Sequence, residues 1–326
     1  MRQYIFRRAL LIMPTILGVS LLISGLLQML PGNAADIILA ESGGFNTNLT
    51  KEKIEADLGL DKKLFGLSEL GFLPQWWGWM GGVVQGDFGD YFRGGKPVGH
   101  ELEVRAPVTL QLAGMALVLS LIIAIPIGVL SAIRQDTPID YVFRSSAIFM
   151  LAVPGFWLGV MFFVLVGRWA DWLLPPLIYQ DPWENLGGNL KQMWAPATIL
   201  AFALAGGVMR LTRGQMLEVL RQDYIRTAWS KGLRERTVIM RHAIKNAFIP
   251  VLSLIGVQIP ILISGSVVLE SIFGLPGVGR MLLDGLFQRE YLAVLAINLL
   301  IASLIVVTNF VVDVAYSFLD PRIRYA

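Results

Sequence analysis

The chain has 326 residues, of which 55% are hydrophobic and only 16% are charged, whereas about a quarter of the residues in soluble domains are charged. The apolar residues fall in long blocks with few charges, which excludes a single soluble fold and indicates an all-α polytopic membrane protein. The absence of cysteine excludes disulfides, thiolate zinc sites and a cysteine nucleophile, and two distant histidines, His100 and His242, predict no metal site.

Six apolar runs, each near the length of about 20 residues that a transmembrane helix needs, predict six spans. The first run follows Arg7 and Arg8, and its length favours a retained anchor over a cleaved signal peptide. Prolines at positions 14, 126, 154 and 260 lie inside the runs and can bend the helices. The predicted spans cover residues 9–30, 109–133, 139–167, 194–212, 246–272 and 291–319.

These spans divide the chain into four parts and predict its orientation. Fifteen Lys and Arg residues flank the spans on one side, whereas the two short loops on the other side carry four. The positive-inside rule therefore predicts that both termini are cytoplasmic. The four parts are a tail with the first helix (1–32), an extracytoplasmic segment with short helices (33–106), a core of five transmembrane helices (107–319) that contains a cytoplasmic loop (213–245), and a cytoplasmic tail (320–326).

The extracytoplasmic segment carries three local signals. Thr50 is a suitable N-cap, and Gly59 a suitable end, for a short helix over 50–58. The tryptophan cluster at 75–80 is typical of a membrane interface, where an indole buries its ring and keeps its N–H in water. Residues 86–90, Gly-Asp-Phe-Gly-Asp, predict a turn.

The basic segment 210–245 predicts a pair of short helices at the membrane surface. One helix leads to Gly232, which can adopt a positive φ and end it. The second fits 235–248, with an apolar face made of Met240, Ile244, Ala247 and Phe248. Composition alone would equally support a basic amphipathic segment that lies on anionic lipid.

A family resemblance separates these two interpretations. The sequence Tyr-Ile-Arg-Thr-Ala-Trp-Ser-Lys-Gly-Leu at 224–233, followed by Ile249-Pro250, resembles the EAA loop of ABC-importer permeases. Arg226 and Thr227 depart from the Glu-Ala of the general motif, and this version resembles the dipeptide, oligopeptide and nickel permeases. The likeness covers essentially the whole chain, with further matching segments at 7–8, 30–32, 59–62, 86–89, 270–279 and 320–324.

The resemblance implies the permease subunit of a binding-protein-dependent importer, with the type I ABC importer permease fold, in a bacterial inner membrane. The implied partners are a second homologous permease, two cytoplasmic ATPase subunits, an extracytoplasmic solute-binding protein and membrane lipid, with no nucleic acid. Short peptides are the favoured solute, and nickel complexes, glutathione, opines or oligosaccharides are alternatives. No cofactor is expected in this chain, because ATP and Mg²⁺ would bind to the partner ATPase subunits.

The resemblance also implies roles for residues of the EAA-like loop. In the family this loop forms a coupling helix that fits a groove in the ATPase. We expect Gly232 to form the turn, and Arg226 and Lys231 to meet acidic groups of the ATPase or lipid phosphates. The full set of coupling residues is Tyr224, Ile225, Arg226, Thr227, Ala228, Lys231, Gly232 and Leu233, of which Tyr224, Ile225, Ala228 and Leu233 are expected to dock.

Three other classes of protein are alternatives to the importer. The sequence has no P-loop and no catalytic motif, so no enzyme and no catalytic residues are predicted. A secondary transporter needs coupling carboxylates near the bilayer midplane and usually repeated halves, and neither is visible. A membrane scaffold would use the basic loop only for lipid.

Polar residues within the spans are candidates for the translocation path or for contacts between helices. Asn298, Asn309 and Asp313 fall on one side of the last span, and Gln258 lies in the fifth. For Arg144 and Glu270, which lie near the ends of spans, snorkelling to the interface or pairing is the simpler explanation.

Overall fold

A computed structural model of the chain describes residues 2–28, 72–92, 94–170, 174–176 and 178–319. In these residues the chain is helical, and long helices alternate with short ones. The helices are α1 (Arg2–Gln28), α2 (Phe72–Val84), α3 (Val98–Ile133), α4 (Pro138–Ala152), α5 (Gly155–Trp169), α6 (Leu186–Leu220), α7 (Asp223–Ser230), α8 (Glu235–Thr237), a π-helix (Val238–Ala243), α9 (Ile244–Phe273), α10 (Val278–Gln288) and α11 (Tyr291–Leu319).

Within the described residues, five helices are long and apolar enough to cross a membrane, or six if a bent pair counts as one span. The bent pair is α4 with α5, which meet at an angle of 97°. The apolar segment predicted as a span over 139–167 is therefore broken into two helices at Pro154. Proline disfavours the helical conformation in the residue before it, and Val153, just before Pro154, is extended with φ −87° and ψ 122°. In contrast, Pro14 and Pro260 lie inside the continuous helices α1 and α9.

Two compact units divide the chain, and each has its own core. One unit comprises residues 6–107 and 277–307, and its apolar core includes Val98, Leu102, Met281 and Ile297. The other comprises 108–276 with 1–5 and 308–326. Its main apolar cluster includes Leu112, Met193, Leu204 and Leu269.

The tryptophan cluster lies in helix α2, in the first of these units. Trp76 is buried, and its indole N–H donates a hydrogen bond to Ser20 Oγ of α1 at 3.1 Å. The Trp79 N–H donates to the carbonyl oxygen of Phe88 at 3.1 Å, whereas Trp77 is exposed. The expectation that the indole N–H groups stay in water is therefore wrong for Trp76 and Trp79, whose N–H groups bind within the protein. The helix expected at 50–58 lies outside the described residues.

The turn expected at 86–90 is present in the same unit. Gly86 and Gly89 both have positive φ, of 85° and 83°. The Asp87 carboxylate accepts a hydrogen bond from the Gly89 N–H at 2.9 Å, which closes the turn. After the turn, α3 begins at Val98, well before the span predicted at 109.

Helix α6 packs closely against its neighbours in the second unit. A Cβ added to Gly206 of α6 would lie 2.7 Å from the Ala147 carbonyl oxygen of α4. A Cβ added to Gly128 of α3 would lie 2.8 Å from the Met209 carbonyl oxygen of α6. Glycine at these two positions therefore allows the helix backbones to approach each other, as small residues do in membrane proteins.

Candidate functional site

Helix α7, which contains most of the EAA-like sequence, has one buried side. Ile225 is fully buried and Ala228 is 7% exposed. Both belong to an apolar cluster with Val129 of α3, Met216 of α6 and Val238 of the π-helix. Ile225 and Ala228 were expected to dock on a partner. In the structure they pack against other helices of the same chain instead.

The other side of α7 is exposed. Tyr224 and Trp229 are each 44% exposed, and Arg226, Thr227 and Lys231 are exposed as well. Trp229 was not among the predicted coupling residues. The Arg226 guanidinium lies 3.4 Å from the Asp223 carboxylate, but both side chains are largely in solvent, so this ion pair contributes little to stability.

Tyr224 connects α7 to the next long helix. Its hydroxyl oxygen accepts a hydrogen bond from Asn246 Nδ2 of α9 at 2.9 Å. The same amide nitrogen donates to the carbonyl oxygen of His242 at 2.9 Å. Tyr224 therefore presents a partly exposed ring whose polar end is already held by the chain.

Gly232 ends α7 with the geometry that its sequence predicts. Its φ is +74°, and its N–H donates to the carbonyl oxygen of Trp229 at 2.9 Å. The Leu233 N–H donates to the carbonyl oxygen of Ala228 at 3.4 Å, and together the two bonds form a Schellman motif. A Cβ at Gly232 would meet nothing within 4 Å, so only the backbone conformation favours glycine here.

The second helix of the predicted pair is not separate. After the short α8, the π-helix leads directly into α9, so the segment from Glu235 continues into the fifth span to Phe273. The Ile244 N–H donates to the carbonyl oxygen of Ile239, five residues earlier, which changes the register of the helix. Met240 is therefore 60% exposed while Ala247 is buried, and the predicted common apolar face of Met240 and Ala247 is wrong.

A buried ion pair that was not predicted involves the last part of α6, the helix that precedes α7. Asp140 of α4 is fully buried, and Arg213 of α6 donates two hydrogen bonds to it, from Nε to Oδ1 at 2.8 Å and from Nη2 to Oδ2 at 2.7 Å. Ser131 of α3 donates to the same carboxylate at 2.5 Å, as does the Asp136 N–H at 3.0 Å. This Asp140 cluster joins three helices and the turn between α3 and α4.

An amide network, also not predicted, lies at the start of α6. Gln111 of α3 donates from Nε2 to Asn189 Oδ1 at 2.5 Å, and Asn189 Nδ2 donates to the carbonyl oxygen of Gln180 at 2.9 Å. Asn189 Nδ2 also lies 3.4 Å from the Tyr179 hydroxyl oxygen, and Gln192 donates to the carbonyl oxygen of Pro176 at 3.1 Å. Neutral side chains thus fasten the preceding loop to α3 and α6.

The four polar candidates for the translocation path have different surroundings. Gln258 of α9 is partly buried beside α6, since a Cβ on Gly207 would lie 3.5 Å from its Nε2. The Asn298 amide donates to the carbonyl oxygen of Val294 in its own helix at 2.8 Å. Asn309 is exposed, and the Asp313 side chain lies outside the described residues.

Glu270 is buried rather than snorkelling to an interface. It is fully buried near the end of α9 and accepts hydrogen bonds from Thr109 Oγ1 at 2.8 Å and from Ser266 Oγ at 3.0 Å. Snorkelling is therefore wrong for this residue. Arg144 is exposed, with its guanidinium 5.5 Å from the centre of the Tyr141 ring.

The long apolar helices, the bent apolar pair and the surface helix on a basic segment define an all-α polytopic membrane protein. Residues 124–325 match the family described as "Binding-protein-dependent transport system inner membrane component". The chain is 37% identical to the oligopeptide transport system permease protein AppB of Bacillus subtilis over the full length of both proteins. It is 34% identical to the dipeptide transport system permease protein DppB of Escherichia coli K12, covering 100% of this chain and 99% of the relative.

The chain therefore belongs to the family of inner-membrane components of binding-protein-dependent transport systems. The comparisons confirm the resemblance to the dipeptide and oligopeptide permeases and the location in a bacterial inner membrane.

Proposed function

We propose that this chain is the permease subunit of an ATP-driven importer of short peptides and receives the movement of a cytoplasmic ATPase at helix α7. With a second homologous permease it encloses the path of the solute, which an extracytoplasmic binding protein delivers. Two ATPase subunits bind ATP and Mg²⁺ and supply the energy. The peptide solute is supported by the relatives AppB and DppB, which are named as oligopeptide and dipeptide transport permeases.

The coupling proposal rests on one observation: one side of α7 is buried in the chain and the other side is exposed. A helix that only lay on lipid would turn its apolar side to the membrane. In α7 the apolar residues Ile225 and Ala228 are buried in the chain, and the side that faces outward carries Tyr224, Arg226 and Trp229. Aromatic residues and arginine are the residue types that dominate binding energy at protein interfaces.

Helix α7 is also attached firmly enough to transmit movement. Its buried side chains lie in one cluster with residues of α3 and α6, and only two residues separate the end of α6 at Leu220 from Asp223. The Schellman motif at Gly232 fixes its far end. A push on the exposed side therefore moves packed helices rather than a flexible loop.

The natural absence of cysteine allows a direct test by single-cysteine crosslinking in the assembled transporter. Thr227→Cys and Ser230→Cys place a thiol on the exposed side of α7, and Ala228→Cys places one on its buried side. A thiol-to-amine crosslinker should join positions 227 and 230 to the ATPase polypeptide, with a yield that changes when ATP is bound.

Two controls define the specificity of the crosslink. Position 228, one residue from 227 but buried, should give little product with the ATPase. Trp183→Cys, at a position that is 93% exposed in a loop predicted to be extracytoplasmic, should give none. Crosslinks from 227 and 230 to phospholipid alone would contradict the coupling proposal, and uptake of peptides that persists without the ATPase subunits would contradict the importer.

A further inference from the structure

The Asp140 cluster connects α3 and α6, the helices against which α7 packs, to a third helix, α4. Ser131 is in α3, Arg213 is in α6, and both donate hydrogen bonds to the carboxylate of Asp140 in α4. The Arg213 contact uses two parallel N–H···O bonds, so it fixes orientation as well as distance. Movement of any one of these helices relative to the others must break charge-assisted hydrogen bonds in a buried place.

The apolar anchor of α7 rests on two of the same helices. The cluster that buries Ile225 includes Val129 and Ala132 of α3 and Met216 of α6. Ser131 lies between the first two in sequence, and Arg213 lies three residues before Met216. Helix α7 and the Asp140 cluster thus both contact α3 and α6, and their contact points lie within a few residues of each other on each helix.

The backbones of α3 and α6 are already in close contact at this level. A Cβ on Gly128 would lie 2.8 Å from both the Met209 carbonyl oxygen and Thr212 Cβ. The two helices therefore form one block without help from Asp140. Helix α4 also approaches this block, at Ala147 beside Gly206 of α6. What the carboxylate adds is a directed connection of the block to the first turn of α4, and α4 leads through the 97° bend into α5.

We infer that Asp140 and Arg213 are positioning residues that make α4 follow the movement of α3 and α6 when the ATPase acts on α7. This inference rests on the proposed function and names a contact through which movement at α7 reaches the bent pair α4–α5. A buried ion pair adds little net stability compared with apolar side chains of similar size, so geometry is its main contribution.

The test replaces both partners at once, because a single replacement leaves a buried charge unpaired and destabilises the protein for that reason alone. In the double variant Asp140→Leu with Arg213→Met, apolar side chains fill the same space. Peptide uptake and ATP hydrolysis are measured together in proteoliposomes that contain the complete transporter, and the result is the number of peptides taken up per ATP hydrolysed.

We expect the double variant to keep the crosslink between position 230 and the ATPase while the uptake per ATP falls roughly tenfold, which is within the usual range of coupling between distant sites. The matched control is Glu101→Gln with Arg105→Gln. That ion pair, at 2.8 Å, joins two residues within one helix and cannot fasten helices to each other. Its removal should leave the uptake per ATP unchanged.

An unchanged uptake per ATP in the double variant would overturn the inference and leave the proposed function intact. Absence of the crosslink between position 230 and the ATPase in a transporter that keeps Asp140 and Arg213 would instead overturn the proposed function. If the double variant does not accumulate in the membrane, Ser131→Ala and Arg213→Lys decide the question. Each keeps the buried charges paired but weakens the fixed geometry, and an uptake per ATP equal to that of the native protein in both would refute the inference.

Discussion

Helix α6 is held at its two ends by different chemistry. Near its end, Arg213 meets the buried Asp140 carboxylate through two charge-assisted hydrogen bonds, whereas near its start Asn189 and Gln192 exchange hydrogen bonds with neutral amides and carbonyl groups. Charge-assisted hydrogen bonds are roughly twice as strong as hydrogen bonds between neutral groups. The difference indicates a fixed joint at the end of α6 that leads to α7 and a weaker attachment at the other end.

The largest effect on stability is expected at the charged end. Arg213→Ala removes the partner of the Asp140 carboxylate and leaves it buried, so the free energy of unfolding should fall by about 3–5 kcal/mol. Unfolding of the purified chain in mixed detergent micelles measures this change. Arg105→Ala, which breaks the partly exposed pair within α3, should cost at most about 1 kcal/mol. Equal losses of unfolding free energy in the two variants would show that the Arg213–Asp140 pair stabilises the fold no more than an ion pair within one helix does.

Substitutions in the amide network at the start of α6 should reduce the free energy of unfolding by less. Asn189→Leu leaves the Gln111 amide and the carbonyl oxygen of Gln180 without their partner, at a cost of about 1–3 kcal/mol in the same unfolding experiment. The double variant Gln111→Leu with Asn189→Leu removes both members of the amide pair and should lose less than twice as much as the single variant. A loss for Asn189→Leu as large as that for Arg213→Ala would show that the two ends do not differ in kind.

The turn that follows α7 should respond to backbone conformation rather than to size. Gly232→Val places a β-branched residue at φ +74°, which costs about 1–2 kcal/mol and should lower ATP-dependent uptake. Gly232→Asn is the matched control, because asparagine adopts this conformation more readily and the site has room for its side chain. Equal losses of uptake in the two variants would mean that the backbone conformation is not what matters there.

The sequence predicted the features that depend on neighbouring residues. Local composition and spacing are sufficient to predict the long apolar runs, the turn at 86–90 and the positive φ of Gly232. The position of the bend at Pro154 was also foreseen, but not its size. A proline shows only where a helix loses a hydrogen bond, and the packing around it sets the angle.

The contacts between distant parts of the chain could not be predicted in this way. Thr137 and Asp140 have the spacing of a helix N-terminus, yet nothing local shows that Arg213, 73 residues later, completes the site. The burial of Ile225 and Ala228 likewise depends on α3 and α6, which periodicity within α7 cannot reveal. The π-helix shifted the register of the segment after α8, so the predicted face containing Met240 was wrong.

The smallest effect concerns the ionisation of Tyr179 in the amide network. Burial raises the pKa of its phenol above the ordinary value of 10.0, and the nearby Asp181 carboxylate raises it further, while the hydrogen bond from Asn189 acts in the opposite direction. Because the folded state holds this proton more tightly than the unfolded state, the stability that it contributes is complete below the ordinary pKa. It is lost as the pH rises through the raised pKa.

The measurement is a titration of phenolate absorbance in the native protein minus that in Tyr179→Phe, which isolates one of the eight tyrosines. The difference should show a transition at higher pH than for a free phenol, and Tyr179→Phe should lose less stability on alkaline titration than the native protein does. Asn189→Leu removes the hydrogen bond that opposes the shift and should move the transition still higher. A transition at or below the pKa of a free phenol would mean that water reaches this ring, and the start of α6 would then be more open than its amide contacts indicate.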